Sequence, residues 1–175
     1  DPNKIDGNPT EMAILKYMKS CDFDIVAHRN KFDRIFQGVF SSDRKRMSTI
    51  IKLENGKHYV FMKGASEYMI DVCQGFLEFE TGNQLEMNYD LKNELTNSVT
   101  EMATQALRTI GLCFKEVDID EIDLENKDDR GIFDYEKNGF VMIGICGIKD
   151  VIRPEVPVSI KKCHIAGITV KMVTG

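Results

Sequence analysis

Long apolar runs, paired cysteines and the common phosphate-binding motifs are all missing from this 175-residue sequence. None of its apolar stretches approaches the roughly 18 residues that a membrane helix needs, and its first residues do not resemble a signal sequence. The chain is therefore expected not to span a membrane by itself. The five cysteines, Cys21, Cys73, Cys113, Cys146 and Cys163, are odd in number and form no Cys-x-x-Cys pair, which points to a reduced, cytosolic compartment. The three histidines, His28, His58 and His164, have no ligand-like spacing with one another or with a cysteine, which argues against a metal site. No Walker loop, Rossmann glycine fingerprint or hydrolase serine elbow occurs, so any nucleotide held here is held outside those schemes. A cationic excess is missing too. The net charge of −5 argues against general affinity for nucleic acid or anionic lipid and requires any anion site to be a local cluster.

What is present is the composition of a soluble globular domain, 42% hydrophobic and 29% charged, long enough for one full core and part of another unit. The organising stretch is residues 40 to 67. It opens on Phe40-Ser41-Ser42-Asp43-Arg44-Lys45-Arg46-Met47-Ser48, turns at Asn55-Gly56, and returns to Lys63-Gly64-Ala65-Ser66-Glu67. An aromatic ring, a group of cations and a lysine-glycine strand end, brought together by one tight turn, form a candidate anion pocket with an aromatic wall. Asn-Gly between two apolar runs is a strong hairpin signal. Pairing Glu54 with Lys57 sets Ser48 opposite Lys63 and Ile50 opposite Phe61, and puts Met47, Thr49, Ile51 and Leu53 on the core face with Met62, Val60 and His58. Lys63 then projects from the more polar face. In that register a regular strand carries Lys45 to the opposite face, so both lysines reach one ligand only if residues 41 to 46 form a loop or bulge.

Elsewhere, Asn8-Pro9-Thr10-Glu11 reads as a helix start, with Ile14, Leu15, Met18 and Cys21 on one face behind it. A strand is predicted over residues 35 to 41, a short helix over 66 to 74 ending at Gly75, and a longer helix over 90 to 107 with Leu91, Leu95, Met102 and Ala106 as its buried stripe. A strand follows over 110 to 117. Residues 118 to 130 carry seven carboxylates but no glycine at the place a calcium loop requires, so a solvated, mobile acidic loop is expected there. The pattern then becomes a buried strand at 140 to 148, a proline-opened helix at 154 to 166 and a second apolar strand at 168 to 173, which suggests the edge of a doubly wound α/β unit cut near its active site. The domain junction falls at 150 to 153.

Each candidate residue also has a plain structural reading. Glu11 serves as a capping carboxylate or as a ligand. Arg44, Lys45 and Arg46 read as a solvated turn or as an anion site, and Phe40 as core or as a stacking platform. Lys63 is either an exposed edge lysine or a point charge for phosphate, with Gly64 permitting close backbone approach. Arg108 sits where it can favour a helix dipole.

Taken together, five motifs in order resemble the cytosolic nucleotide-binding domain of P-type cation-transporting ATPases over essentially the whole chain. They are Asn8-Pro9-Thr10-Glu11, residues 40 to 48, residues 63 to 67, Ala106-Leu107-Arg108-Thr109-Ile110 and Met172-Val173-Thr174-Gly175. Arg153-Pro154-Glu155-Val156-Pro157, with residues 160 to 163 and 166 to 170, is most similar to calcium pumps of the plasma-membrane, calmodulin-regulated type, and the reticulum type is the nearer alternative. The resemblance implies an α+β fold, a twisted antiparallel sheet flanked by helices, with the domain at 1–150 and residues 151–175 forming a hinge and a β/α tail from a haloacid-dehalogenase-like phosphorylation domain. It implies that Phe40 stacks on adenine, that Glu11 meets the adenine amino group with Thr10 beside it, and that Lys63, Gly64 and Ala65 line the pocket. Lys45, Arg108 and Arg44 would face the phosphates, Thr174 and Gly175 would meet the terminal phosphate, and Asp150 and Arg153 would belong to the hinge.

The implied ligand is ATP, with Mg2+ bound by residues outside this sequence. The implied partners are the actuator, phosphorylation and transmembrane domains of one parent chain, with calmodulin as a candidate on the parent and no nucleic acid. The implied location is the cytosolic face of a membrane. Two departures stand out: Ser42 replaces an arginine of the reticulum-type pumps, leaving Arg44 to take over that contact, and Asp150-Val151 replaces an aspartate-proline hinge. The Asp-Lys-Thr-Gly-Thr motif of the phosphorylated aspartate does not occur, so the chain is expected to bind ATP without hydrolysing it. Two alternatives from other classes are a stand-alone nucleotide-sensing module and a haloacid-dehalogenase-type phosphatase; the latter needs an Asp-x-Asp strand that is not found.

Overall fold

The computed structural model describes residues 8–173. Seven strands form one sheet in the order β1-β2-β3-β6-β7-β4-β5. They are β1 (Asp33–Gly38), β2 (Arg46–Lys52), β3 (His58–Ala65), β4 (Cys73–Leu77), β5 (Gln84–Glu86), β6 (Leu107–Val117) and β7 (Phe140–Lys149). All neighbours are antiparallel except β4 and β7, so the sheet is mixed rather than purely antiparallel. The fold is α+β, as expected, with helices α1 (Pro9–Ser20), α2 (Ile25–Arg29), α3 (Ser66–Val72), α4 (Tyr89–Thr104) and α5 (Glu155–Ile165) around it.

The Asn55-Gly56 turn is present, but it holds three residues rather than two. Leu53 pairs with Lys57, whose carbonyl accepts from the Leu53 N–H at 2.9 Å, and Gly56 takes the left-handed conformation at φ 81° that such a turn requires. The register therefore shifts by one: Ser48 faces Met62, and Lys63 faces Met47. Because side chains alternate, a one-residue slip exchanges the two faces of β2. Ser48 and Ile50, not Met47, Thr49 and Ile51, are buried with Met62 and Val60.

That buried face is covered by α3, α4 and residues 118–139. Met69, Ile70 and Val72 of α3 enter the core with Cys113, Phe140 and Met142 from the sheet. In α4 an Asn88 cap accepts from the Leu91 N–H at 2.8 Å, Val99 is buried and Leu91 and Leu95 pack on the core. Ala106 lies beyond the helix in a left-handed turn, φ 56°.

Three expectations are corrected. The helix of residues 66 to 74 stops at Val72, because Cys73 and Gly75 are drawn into β4, buried between β7 and β5. Residues 118–130 are not a free acidic loop. Ile119, Ile122 and Leu124 pack on the core, while Asp118, Asp123 and Asp128 bond to nearby backbone N–H groups, so the carboxylates shape turns instead of repelling them open. Residues 168–173 form no strand, and Ile168 and Val173 are exposed. The apolar run 140 to 149 is used up in the sheet between β6 and β4, which leaves no β7 edge for a second apolar strand.

One buried cluster is polar. The short turn Asp134–Glu136 presents a fully buried Glu136 carboxylate, paired with Arg44 and accepting from Ser48 Oγ at 2.5 Å and the Phe133 N–H at 3.2 Å. Its backbone carbonyl accepts from Arg46 at 3.0 Å. Burial lowers the Arg46 pKa while the Glu136 charge opposes the shift. Tyr135, 3.0 Å from Ser48, is pushed up to about 12 by burial, the Ser48 bond working against it. Its folded pKa lies above its ordinary value near 10, so its contribution to stability is complete below pH 10 and is lost as pH rises through about 12. Urea unfolding of wild type and Tyr135→Phe across this window should show their difference in stability shrinking by on the order of 2 kcal/mol. A difference that does not change with pH would contradict the assignment.

Candidate functional site

On the opposite, more open face, a cavity of about 350 Å³ lies between the start of α1 and the ends of β3 and β6. Its walls are Asn8, the cap of α1, with Thr10, Glu11 and Ile14 from the helix itself, Phe40 and Lys45 from the loop before β2, Lys63, Gly64 and Ala65 from β3, and Arg108, Thr109 and Ile110 from β6. Eight sequence-predicted site residues are thereby brought together: Thr10, Glu11, Phe40, Lys45, Lys63, Gly64, Ala65 and Arg108.

The local chain explains how each arrives. Asn8 caps α1, accepting from the Thr10 N–H at 2.9 Å with Pro9 in the first turn, which sets Thr10 and Glu11 at the cavity mouth. Glu11 does not cap the helix; its carboxylate accepts from Lys63 Nζ at 2.6 Å. Lys63 lies on β3, between β2 and β6, so it is not an edge lysine. Arg108 belongs to β6 rather than to a helix end, and its guanidinium donates to Thr10 Oγ1 at 3.2 Å. No residue of α1 is fully buried, though Met12, Ile14 and Leu15 are half-buried, and these two polar contacts link the helix to the cavity floor.

The loop before β2 sorts the three cations by side. Arg44 and Arg46 are buried with Glu136 on the far face, and only Lys45 reaches the cavity. The expected solvated basic turn is thus corrected. Residues 41–45 form the anticipated loop, closed by the Lys45 N–H donating to the Ser41 carbonyl at 2.9 Å, with Lys45 at φ 54°. The one-residue register shift also removes the parity obstacle, since Met47 and Lys63 now face each other. Gly64 serves a close approach within the chain: a Cβ there would come within 2.5 Å of the Lys45 carbonyl, which accepts from the Ala65 N–H at 3.1 Å.

Other predicted residues lie elsewhere. Arg44 does not face the cavity and does not take the place left by Ser42, because its guanidinium is held by Glu136 and by the Val39 carbonyl at 2.5 Å. Asp150 and Arg153 are exposed beyond β7, Arg153 near Glu155 at 3.9 Å. Thr174 and Gly175 lie outside the described residues. Sequence reasoning missed Thr109 and Ile110 as cavity walls, although the Arg108 motif contains them, and it placed Ile14 on a buried stripe. It also gave Glu136 no part. Among the described residues there is no group of three or more His, Cys, Asp or Glu that could hold a metal ion, and no helix is long and apolar enough to cross a membrane.

Comparison with known proteins bears on this geometry. Residues 2–155 match the family described as the P-type ATPase cytoplasmic domain N. The chain is similar to the rice (Oryza sativa subsp. japonica) probable calcium-transporting ATPase 9, plasma membrane-type, 37% identical with 97% of this chain and 15% of that protein covered. It is similar to the Caenorhabditis elegans plasma membrane calcium-transporting ATPase mca-1, at 38% with 97% and 15% covered, and to the Gallus gallus plasma membrane calcium-transporting ATPase 1, at 36% with 97% and 14% covered. The chain thus spans about one-seventh of the length of these relatives.

Both side chains of the Glu11–Lys63 pair are about one-third exposed, which leaves the pair screened by solvent. Replacing Glu11 by Gln should change the unfolding free energy by less than about 1 kcal/mol, as urea denaturation would measure. A loss above about 2 kcal/mol would show that the pair holds the fold together rather than standing ready at the cavity.

Proposed function

Because this chain belongs to the P-type ATPase cytoplasmic N-domain family, we propose that its cavity binds ATP and presents the terminal phosphate to an aspartate elsewhere in a calcium-transporting pump. The observation that carries the reading is the cavity itself, where one exposed phenyl ring, three cations and one carboxylate face a common space. Phe40 offers a face for the purine, and Glu11 an acceptor for its amino group. Lys63 lies beside the base, while Lys45 and Arg108 supply positive charge for the phosphate chain. Gly64 and Ala65 complete the floor. Thr174 and Gly175 belong, on this reading, to the phosphate end.

ATP supplies a transferable phosphoryl group, and this chain's residues hold and orient it. In-line transfer needs a nucleophile and a metal at that phosphate; neither is assigned to the described residues, so Mg2+ and the accepting aspartate belong to other parts of the pump. Residues 151–175, whose helix α5 buries no side chain, are the hinge and the first elements of the phosphorylation domain. The pump's other partners are its actuator and transmembrane domains. The plasma-membrane type is supported by the names of the relatives, and the domain then works at the cytosolic face.

Calorimetric or amide NMR titrations with ATP and adenosine test the assignment. Phe40→Ala should weaken both ligands by about 1–3 kcal/mol, since stacking on the base is common to them. Lys45→Ala should weaken ATP by about 1 kcal/mol and leave adenosine unchanged. Loss of ATP binding alone in Phe40→Ala would contradict the stacking role, and equal losses for both ligands in Lys45→Ala would contradict the phosphate role.

A further inference from the structure

Phe40 and Lys45 stand on one short loop, which the cavity side holds through a backbone bond from the Ala65 N–H to the Lys45 carbonyl at 3.1 Å. Its side-chain anchor is on the other side. Arg44 points away from the cavity, and Nη1 donates to the Val39 carbonyl at 2.5 Å, next to Phe40. The Arg44 N–H bonds Ser41 Oγ at 3.2 Å and the Lys45 N–H bonds the Ser41 carbonyl at 2.9 Å. The guanidinium is seated on the Phe133 ring, 5.0 Å from its centre, and paired with the fully buried Glu136. Glu136 is fixed in turn by Ser48 and the Phe133 N–H, and Arg46 is held to its backbone carbonyl and to that of Arg44.

We propose that Glu136 is a positioning residue of the nucleotide cavity, acting through Arg44 and the Val39 carbonyl to fix where the Phe40 ring and Lys45 stand. The inference rests on the nucleotide reading above. A buried carboxylate with several donors is rigid once satisfied, and costly to leave half-satisfied. The Glu136 side chain does not line the cavity, so its effect on a ligand is indirect, and the loop held through Arg44 is its shortest path. The base and phosphate sites, one residue group at each end of residues 40–45, should therefore respond together.

The test measures dissociation constants for ATP and adenosine in the full chain carrying Glu136→Gln, Arg44→Met or Tyr135→Phe. Glu136→Gln and Arg44→Met should each weaken ATP roughly 2- to 30-fold and weaken adenosine as well, with the Phe40 and Lys45 amide signals displaced before any ligand is added. Arg44→Met keeps the test open if Glu136→Gln does not fold, because Arg46 remains near Glu136 to offset its charge. Tyr135→Phe disturbs the same buried cluster without touching the Val39 carbonyl, so affinity should stay within about twofold of wild type. A folded Arg44→Met variant that binds both ligands like wild type overturns the proposal. So does a Tyr135→Phe variant that loses as much affinity as Arg44→Met, since that would mark a general effect of stability. Absence of saturable ATP binding by the wild-type chain would instead overturn the nucleotide reading itself, and the inference with it.

Discussion

A single buried carboxylate with two guanidinium groups is the constraint on which the rest of the site depends. Glu136 accepts from Arg44, Ser48 and a backbone N–H, and its own carbonyl holds Arg46. Removing ions from water costs several kcal/mol each, and mutual attraction offsets that cost only when the geometry is good and the remaining polar atoms are bonded. The arrangement is therefore selective rather than generously stabilising. With it in place, residues 39–46 carry Phe40 and Lys45 to the cavity while Arg44 and Arg46 turn away from it.

The sheet divides the work between its faces. The face covered by α3, α4 and residues 118–139 contains the apolar core and the Glu136 cluster. The other face stays comparatively open. It carries the cavity at one end and a row of aromatic rings, Tyr59, Phe61 and Phe114, farther along the same strands. The helix α1 closes the cavity through exposed polar contacts, so the cavity wall is weakly held where a ligand would enter and firmly held behind. Lys63 already has Glu11 as a partner, and a ligand drawing on Lys63 shares it with that carboxylate.

Much of this was legible in the sequence, and the exceptions share a cause. The cap at Asn8, the Asn55-Gly56 turn and the apolar run of β7 are local signals, and each element formed where its chemistry placed it. The cavity residues were legible as an ordered set of motifs. Register was not, because the turn could hold two residues or three and only packing of Ser48 and Ile50 against Val60 and Met62 decides between them. The roles of Arg44 and Arg46 were hidden for a related reason. Three adjacent cations read as solvated until a carboxylate some 90 residues away, at Glu136, enters the same buried space. Counting carboxylates in residues 118 to 130 hid the apolar residues among them, and reading Gly75 as a helix stop ignored the strand that it enters.

On the proposed reading, the nucleotide base sits on Phe40 in the cavity between α1 and the sheet. Intermolecular nuclear Overhauser effects between the adenine protons of bound ATP and the side chains of this chain test it most directly. Contacts to the Phe40 ring protons and to Ile14 are expected. Contacts to Tyr59, Phe61 or Phe114 in their place would put the base on the open aromatic row and contradict it.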